Sequence, residues 1–160
     1  LGAPFSQTDP EQVADAVVGL GCPLRADGSL SEILEERVQA GVTLELRSPP
    51  RLDAEFDRDK IRRALVTLLT NAVAASPAGS TVKLSLNRDE GGPVRMTVED
   101  QGPGLSTEIL DRVFQPFVTT KPDGTGLGLA IVQKIAQEHG GRAEAANRPG
   151  GGACFSVILP

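Results

Sequence analysis

The sequence predicts a two-layer α/β sandwich, in which a mixed, largely antiparallel sheet carries helices on one face. Several short segments alternate apolar and polar residues with a period of two, which is typical of half-buried strands. Longer segments place apolar residues at helical spacing, and turns rich in Gly and Pro separate the two kinds of segment. With 160 residues, the chain is long enough for one domain with an adequate core.

The N-terminal forty residues predict two short helices. Residues 8–11 (TDPE) resemble a capping box, and apolar residues at helical spacing follow them as far as Gly21. Residues 29–32 (SLSE) repeat the pattern before a second helix over about residues 30–40. We therefore expect residues 1–28 to form an N-terminal helix and linker, and residues 29–160 to form the main domain. Because the chain starts at Leu1 rather than Met, we expect a domain excised from a longer protein.

Six strands and two further helices are predicted in the main domain. The strands span about residues 42–47, 51–56, 80–88, 93–100, 142–147 and 152–159, and the helices about residues 57–75 and 125–139. Asp57 or Asp59 opens the first of these helices, which has apolar residues at the i, i+4, i+7 and i+11 positions of one face. These residues are Ile61, Leu65, Leu68 and Ala72.

Asn71 lies in the middle of the helix over 57–75, about eighty degrees from the centre of the apolar stripe. Asparagine is a poor helix former, and the residues around it are small, which favours a ligand contact. Its carbonyl oxygen suits Mg²⁺, a hard cation that shares oxygen ligands with phosphates. The alternative is an ordinary exposed helix asparagine.

Asp100 ends an alternating strand and has the same parity as the apolar residues Val94, Met96 and Val98. A carboxylate directed inward needs a partner, and the amino group of a nucleobase is a suitable donor. Gly102 and Gly104 follow, and glycines allow the close approach of a backbone or a ligand. The alternative is an Asx turn, in which Asp100 accepts hydrogen bonds from the loop amides.

A glycine-rich loop, residues 123–130 (DGTGLGLA), precedes the helix over 125–139. Gly124, Gly126 and Gly128 leave backbone N–H groups uncovered, and the positive end of the helix dipole faces the loop. Both features predict a phosphate site. A plain turn before a helix is the alternative for this segment taken alone.

Together these motifs resemble the ATP-binding catalytic domain of sensor histidine kinases, within the gyrase, heat-shock chaperone, histidine kinase and MutL superfamily. The resemblance covers about residues 42–160 and implies the Bergerat-type ATP-binding fold. Asn71 matches the N box and is implied as the Mg²⁺ ligand, and Asp100 matches the residue that binds the adenine amino group. The other matching residues are Gly102 and Gly104 in the first glycine box, Phe114 and Phe117 in the F box, and Gly124, Gly126 and Gly128 in the second glycine box.

The segment between the two glycine boxes, residues 105–123, is interpreted as a mobile ATP lid. Phe114 and Phe117 would be its hinges, although both could instead be core anchors. Further nucleotide-binding candidates are Thr119, Thr120, Lys121, Thr125 and Leu127.

Two positions depart from the family pattern. Thr67 stands where the ATP-hydrolysing branches carry a general-base glutamate, and Ala74 stands where many kinases carry a phosphate-contacting lysine. Lys121 on the lid is therefore the candidate replacement cation and, with Asn71, a catalytic candidate. Its alternative role is that of an exposed loop lysine.

The resemblance implies a kinase domain that binds ATP and Mg²⁺ and transfers the γ-phosphate to a histidine on a phosphoacceptor domain absent from this chain. His139 is the only histidine, and its place in the last turn of a helix favours a packing or capping role over that of acceptor. Residues 1–28 would be a remnant of the missing helical hairpin. The alternatives are an ATPase switch of the gyrase or MutL type and a nucleotide-binding regulatory module without catalysis.

The composition bears on partners and location. A net charge of −5 argues against nucleic acid as a partner. Cys22 and Cys154 lie in unrelated contexts, which indicates reduced thiols in a cytoplasmic protein, and no apolar run approaches the ~20 residues of a membrane span. We expect the isolated domain to be a monomer. The longer parent protein is expected to be a homodimer with a cognate response regulator as its partner. Whether the parent is anchored in a membrane is left open.

Overall fold

The computed structural model describes residues 5–7, 41–47, 55–88 and 90–160. Within these residues one sheet contains six strands, and three helices accompany it. The strands are β1 (Phe5–Gln7), β2 (Thr43–Arg47), β3 (Thr81–Arg88), β4 (Val94–Glu99), β5 (Arg142–Asn147) and β6 (Ala153–Leu159). The helices are α1 (Arg58–Ala75), α2 (Thr107–Leu110) and α3 (Gly128–Glu138).

The sheet has the order β1-β2-β3-β4-β6-β5. β2 and β3 are parallel and are connected through α1, whereas every other neighbouring pair is antiparallel. α1 packs on β3 and β4, and α3 packs on β5 and β6. The predicted two-layer sandwich with a mixed, largely antiparallel sheet is therefore confirmed.

The core lies between the helices and one face of the sheet. Alternate residues of β3 and β4 are buried, and the apolar stripe of α1 covers them. Burying one large aliphatic side chain contributes roughly 1.5–3 kcal/mol, so this layer supplies much of the folding free energy. Its members include Ile61, Leu65, Leu68, Ala72, Val82, Leu84, Leu86, Val94, Met96, Val98, Phe155, Val157 and Leu159.

The ends of the two long helices meet at one side of the helix layer. Asp57 caps α1, because its side chain accepts a hydrogen bond from the Lys60 N–H at 3.2 Å. His139 caps the C-terminus of α3, and its ring connects the two helices. Its Nδ1 donates to the Ile135 carbonyl at 2.7 Å, and its Nε2 accepts from the Asp57 N–H at 3.0 Å. Both ring nitrogens are thus engaged in structural bonds, in agreement with the predicted capping role.

Several element boundaries differ from the sequence prediction. Glu55 and Phe56 lie in coil, so the predicted strand over 51–56 is wrong at its C-terminal end, and residues 51–54 lie outside the described residues. α3 begins at Gly128 rather than at Thr125, because Gly126 has a φ of +69° and interrupts the helical backbone. β1 and the short helix α2 were not predicted.

The predicted helices before residue 41 and the Cys22 thiol fall outside the described residues, and the division at residue 28 stays a prediction. Cys154 is a free, half-buried thiol on β6, and burial raises its pKa above the ordinary value. In the described part of the chain, no helix has the length and apolar character required to cross a membrane.

Candidate functional site

A cavity of about 460 Å³ lies between α1, the start of α3, the lid and the ends of β4 and β6. Its volume is within the range of small-molecule sites. The loop after β4 and the glycine-rich loop before α3 both open onto this cavity. Ten of the residues predicted from the sequence line it: Asn71, Asp100, Gly104, Thr119, Thr120, Lys121, Gly124, Thr125, Gly126 and Gly128.

Asp100 is 3% exposed at the end of β4, and its two carboxylate oxygens differ in their hydrogen-bond partners. Oδ1 accepts hydrogen bonds from the N–H groups of Gly102 at 2.9 Å and Ala153 at 3.1 Å. Among the described residues Oδ2 has no partner. A buried carboxylate oxygen without a donor is unfavourable, so a ligand N–H in the cavity would satisfy it. The Asx-turn alternative accounts for one oxygen of this side chain and leaves the other available.

Gly102 and Gly104 shape the loop after Asp100 in different ways. Gly102 does not line the cavity, because it packs against the end of α1, where an added Cβ would lie 2.6 Å from the Ala75 carbonyl oxygen. Gly104 lines the cavity and brings the loop within contact of Asn147. The loop is therefore held close to two other segments and leaves no room for larger side chains.

Asn71 and Lys121 also line the cavity, and their side chains are in contact. Lys121 Nζ donates to Asn71 Oδ1 at 3.3 Å, across fifty positions of sequence. The asparagine oxygen is therefore directed into the cavity, at the edge of the apolar stripe as predicted. Lys121 is exposed, lines the cavity and contacts Asn71 through its ammonium group, so its role as a replacement cation stays a prediction.

The N-terminus of α3 also opens onto the cavity. The N-cap residue, Leu127, makes no side-chain cap, and the first-turn N–H groups have no acceptor within the helix. Together with the helix dipole and the Lys121 ammonium, these groups favour an anion beside them. An added Cβ on Gly126 would lie 2.6 Å from the Phe117 backbone, so this position admits only glycine.

The two lid phenylalanines have separate environments, and neither lines the cavity. Phe114 packs against the core and meets Phe155 edge-on, with ring centroids 6.4 Å apart. Phe117 is 78% exposed and has a φ of +67°, which is unfavourable for a bulky residue. Its N–H donates to the Gly126 carbonyl at 2.9 Å, which joins the end of the lid to the glycine-rich loop. The core-anchor alternative thus describes Phe114 and not Phe117.

Leu127 is also directed away from the cavity, and its side chain is 38% exposed. Its N–H donates to Thr125 Oγ1 at 3.3 Å, which shapes the turn before α3.

Sequence reasoning missed the apolar wall of the cavity. Periodicity assigns these residues to buried faces or to the lid but does not indicate that they border a cavity. The wall includes Leu105, Ile109, Val113, Val118, Leu129, Ala153 and Phe155. It also missed Asn147 at the end of β5, which contacts Leu105, and Arg148 directly after it, which contacts the Asp100 carbonyl.

The family model for histidine kinase-, DNA gyrase B- and HSP90-like ATPases matches residues 56–160. The sensor histidine kinase ZraS of Klebsiella oxytoca is 35% identical over 133 residues, which cover 82% of this chain and 29% of ZraS. The histidine-protein kinase AtoS of Escherichia coli K12 is 35% identical over 141 residues, which cover 82% of this chain and 23% of AtoS. This chain therefore spans less than a third of these relatives.

Solved structures of histidine kinases also resemble this chain. Full-length ShkA in complex with AMPPNP superimposes with a TM-score of 0.72 and 31% identity, over 99% of this chain and 30% of ShkA. The nucleotide-free catalytic domain of the histidine kinase ThkA superimposes with a TM-score of 0.71 and 26% identity, over 99% of this chain and 98% of that domain. With its fold, its cavity and a family match over residues 56–160, this chain belongs to the histidine kinase-, DNA gyrase B- and HSP90-like ATPase family.

Proposed function

We propose that this chain is the ATP-binding kinase domain of a two-component sensor histidine kinase. It would transfer the γ-phosphate of ATP to a histidine on a dimerisation and phosphoacceptor domain outside this sequence. One observation carries the proposal: the same cavity is lined by a buried aspartate with one unpartnered carboxylate oxygen, by an asparagine and a lysine in contact, and by a helix N-terminus.

The Asp100 carboxylate fits an adenine base. Asp100 Oδ2 is an acceptor without a donor, and the exocyclic amino group of adenine supplies one. Guanine presents a carbonyl oxygen at the same position, and two acceptors would then face each other. Selectivity for adenine therefore depends on an oxygen that the fold leaves free while it uses the other for loop amides.

Asn71, Lys121 and the N-terminus of α3 fit the triphosphate. The first-turn amides of α3 and the Lys121 ammonium would hold phosphate oxygens, and Asn71 Oδ1 would be the protein ligand of Mg²⁺. No cluster of three or more His, Cys, Asp or Glu side chains suited to a metal occurs in the described residues. An asparagine oxygen combined with phosphate oxygens is a typical environment for this ion. When bound, Mg²⁺ would neutralise charge on the transferring phosphoryl group.

Phosphoryl transfer depends mainly on positioning and charge stabilisation, and these residues can supply both. Thr67 cannot act as a general base, and its hydroxyl donates to the Arg63 carbonyl at 2.9 Å. The chain therefore has no group at this position to activate water. This supports a kinase over an ATPase switch of the gyrase or MutL type.

A regulatory module without catalysis is the second candidate, because Ala74 lacks the basic side chain usual in the kinases. The contact between Lys121 and Asn71 favours the kinase, since it places a cation from the lid beside the proposed metal ligand. The partners of the kinase would be the phosphoacceptor domain of the parent chain and a cognate response regulator. We further propose that the parent is a homodimer and that the isolated domain is a monomer.

The test is to mix the domain with γ-labelled ATP, Mg²⁺ and a helical-hairpin acceptor protein, and to measure acid-labile phosphate on the acceptor. We expect label on the acceptor and none on the domain itself. Asn71→Ala should abolish most of the transfer, because the proposed metal ligand is lost. Asn71→Asp retains an oxygen ligand but adds negative charge beside the triphosphate, so transfer should also fall.

Asn87→Ala is the matched control, because Asn87 is exposed on β3 and does not line the cavity. It should transfer phosphate at the wild-type rate. A wild-type domain that binds ATP but labels no acceptor would favour the regulatory module. Unchanged transfer in both Asn71 variants would remove this residue from the active site.

A further inference from the structure

The end of β5 and the first residue of the turn after it contact both ends of the loop that follows β4. This loop, residues 100–105, starts at Asp100 and includes Gly104 and Leu105, which line the cavity. The two residues in contact, Asn147 and Arg148, are adjacent in sequence and lie more than forty positions from the loop. Neither belongs to any motif that the sequence indicates.

Asn147 binds the backbone of Leu105 through two hydrogen bonds. Its Oδ1 accepts from the Leu105 N–H at 2.8 Å, and its Nδ2 donates to the Leu105 carbonyl at 2.7 Å. A carboxamide offers a donor and an acceptor together, so it pairs with both the N–H and the carbonyl of Leu105, as a neighbouring strand would. Leu105 is also the first residue of the lid, so the same contact fixes the start of the lid.

Arg148 binds the other end of the loop. Its Nη1 donates to the Asp100 carbonyl at 2.8 Å, and its Nε lies 3.5 Å from Glu99 Oε1. The Arg148 side chain is about three-quarters buried, and a charged donor forms a stronger bond than a neutral one. Arg148 therefore restrains the backbone of the residue whose carboxylate faces the cavity.

Gly152 allows the β5–β6 turn to approach Asp100 closely. It is buried, it has a φ of +92°, and an added Cβ would collide with the Asp100 carbonyl oxygen. On the same side the Ala153 N–H donates to Asp100 Oδ1 at 3.1 Å, and the Asp100 N–H donates to the Ala153 carbonyl at 3.0 Å. The orientation of the Asp100 carboxylate thus depends on the start of β6 and on the turn residue Gly152, which does not line the cavity.

We infer that Asn147 and Arg148 form a clasp that positions the loop over 100–105 and thereby sets the preference of the site for adenine over guanine. This inference rests on the proposed function, because it assigns Asp100 to the base. Both residues act through the loop backbone and are positioning residues. Loosening the loop would let Asp100 turn toward or away from the base, so affinity for ATP would fall more than affinity for GTP.

The experiment compares the wild-type chain with Asn147→Ala, Asn147→Asp, Arg148→Met and Arg148→Lys, and Arg142→Ala is the control. Arg142 is an exposed arginine on the same hairpin and pairs with Glu144, away from the cavity. Calorimetry gives the affinities for MgATP and MgGTP. Hydrogen exchange in the absence of nucleotide gives the protection of the Gly102, Gly104 and Leu105 amides, and a thermal melt confirms folding.

Asn147→Ala and Arg148→Met should each weaken ATP binding by roughly tenfold and lower the ATP-to-GTP affinity ratio. Asn147→Asp should behave like the alanine variant, because a carboxylate cannot donate to the Leu105 carbonyl. Arg148→Lys retains a cationic donor and should recover part of the ratio. The Leu105 amide should exchange faster in Asn147→Ala, which lacks its acceptor, while the amides of β6 remain protected.

A double variant tests whether Arg148 acts through Asp100. In an Asp100→Asn background, Arg148→Met should no longer change the affinity ratio, since contacts that act through one residue are not additive. An unchanged ratio in the folded single variants would overturn the clasp, even if both affinities or the melting temperature fell. If the wild-type chain binds no adenine nucleotide, the proposed function fails and the selectivity role fails with it.

Discussion

In the proposed function, Asp100 supports both the fold and the nucleotide site. Its Oδ1 completes the turn after β4 through two backbone amides, and its Oδ2 remains free beside the cavity. Because the structural bonds orient the carboxylate, the free oxygen keeps a defined direction without a ligand. Preorganisation of this kind reduces the ordering cost of binding.

Asp100→Asn should keep the fold and lose adenine preference. The amide oxygen can still accept from Gly102 and Ala153, so the amide nitrogen would replace Oδ2 and direct a donor at the adenine amino group. An unsatisfied buried donor costs ~1–3 kcal/mol, which predicts a fall in ATP affinity of roughly five- to 150-fold. Calorimetry with MgATP and MgGTP measures this. Equal ATP affinity in the variant and wild type would contradict the assignment of Asp100 to the base.

His139→Gln should reduce stability without changing nucleotide binding. The imidazole joins the end of α3 to the start of α1 through two hydrogen bonds, each worth about 1 kcal/mol. A lower melting temperature and an unchanged Kd for MgATP are therefore expected. Accumulation of labelled phosphate on His139 in the wild-type domain would show that this residue is an acceptor and not a cap.

The pair of helices α1 and α3 brings together the residues that we propose bind the triphosphate. The start of α1 lies beside the end of α3, as the 2.8 Å contact between Lys60 Nζ and Glu138 Oε2 shows. At the opposite ends, Gly128 approaches Thr67, where an added Cβ would lie 3.0 Å from the threonine methyl. The antiparallel arrangement therefore brings the N-terminus of α3 to the part of α1 that carries Asn71.

The Lys60–Glu138 pair should stabilise the helix pair only within a defined pH range. Its hydrogen bond lowers the pKa of Glu138 from its ordinary 4.5 and raises the pKa of Lys60 from its ordinary 10.5. A lowered carboxylate pKa gives stability that is lost as pH falls below about 4.5. A raised lysine pKa gives stability that is lost as pH rises above about 10.5.

Urea denaturation of Glu138→Gln and wild type measures this contribution. The difference in unfolding free energy should be constant between those limits, small because both groups are exposed, and smaller in high salt. It should vanish in acid, where Glu138 is protonated. Glu108→Gln is the control, since the described structure shows no cationic partner for that carboxylate. An equal difference at pH 3 and pH 7 would exclude the ion pair as its source.

At the scale of the whole molecule, the cavity connects elements from both layers and from the lid. A ligand that contacts all of them binds only the folded chain, so it stabilises the fold by mass action. At a hundredfold excess over Kd this amounts to ~2.7 kcal/mol. The bound ligand stabilises the whole fold, although its contacts are confined to one end of the sheet.

MgATP should therefore raise the melting temperature of the wild-type domain by several degrees. ATP with a chelator should raise the melting temperature less, because no Mg²⁺ is then present for the proposed Asn71 ligand to bind. In Asn71→Ala the rise should be the same with and without Mg²⁺, whereas Asn87→Ala should behave as wild type. A Mg²⁺-dependent rise that persists in Asn71→Ala would place the metal on other groups.

The sequence by itself determined the elements whose signals are local. The span of α1 follows from a capping aspartate and an apolar stripe, and β3 and β4 follow from strict alternation. Asn71, Asp100 and the glycine-rich loop were also recognisable, because each is an unusual residue type for its place in an element. Periodicity and capping act within a few residues, so they can be identified without knowledge of the fold.

Only the tertiary structure decided what depends on distant segments. It placed β1 beside β2, brought Lys121 to Asn71, and separated the core anchor Phe114 from the exposed Phe117. It also brought Asn147 and Arg148 onto the loop after Asp100, where no local pattern predicts them. The physical reason is that these contacts form between surfaces whose approach is set by the packing of the whole sheet and its helices.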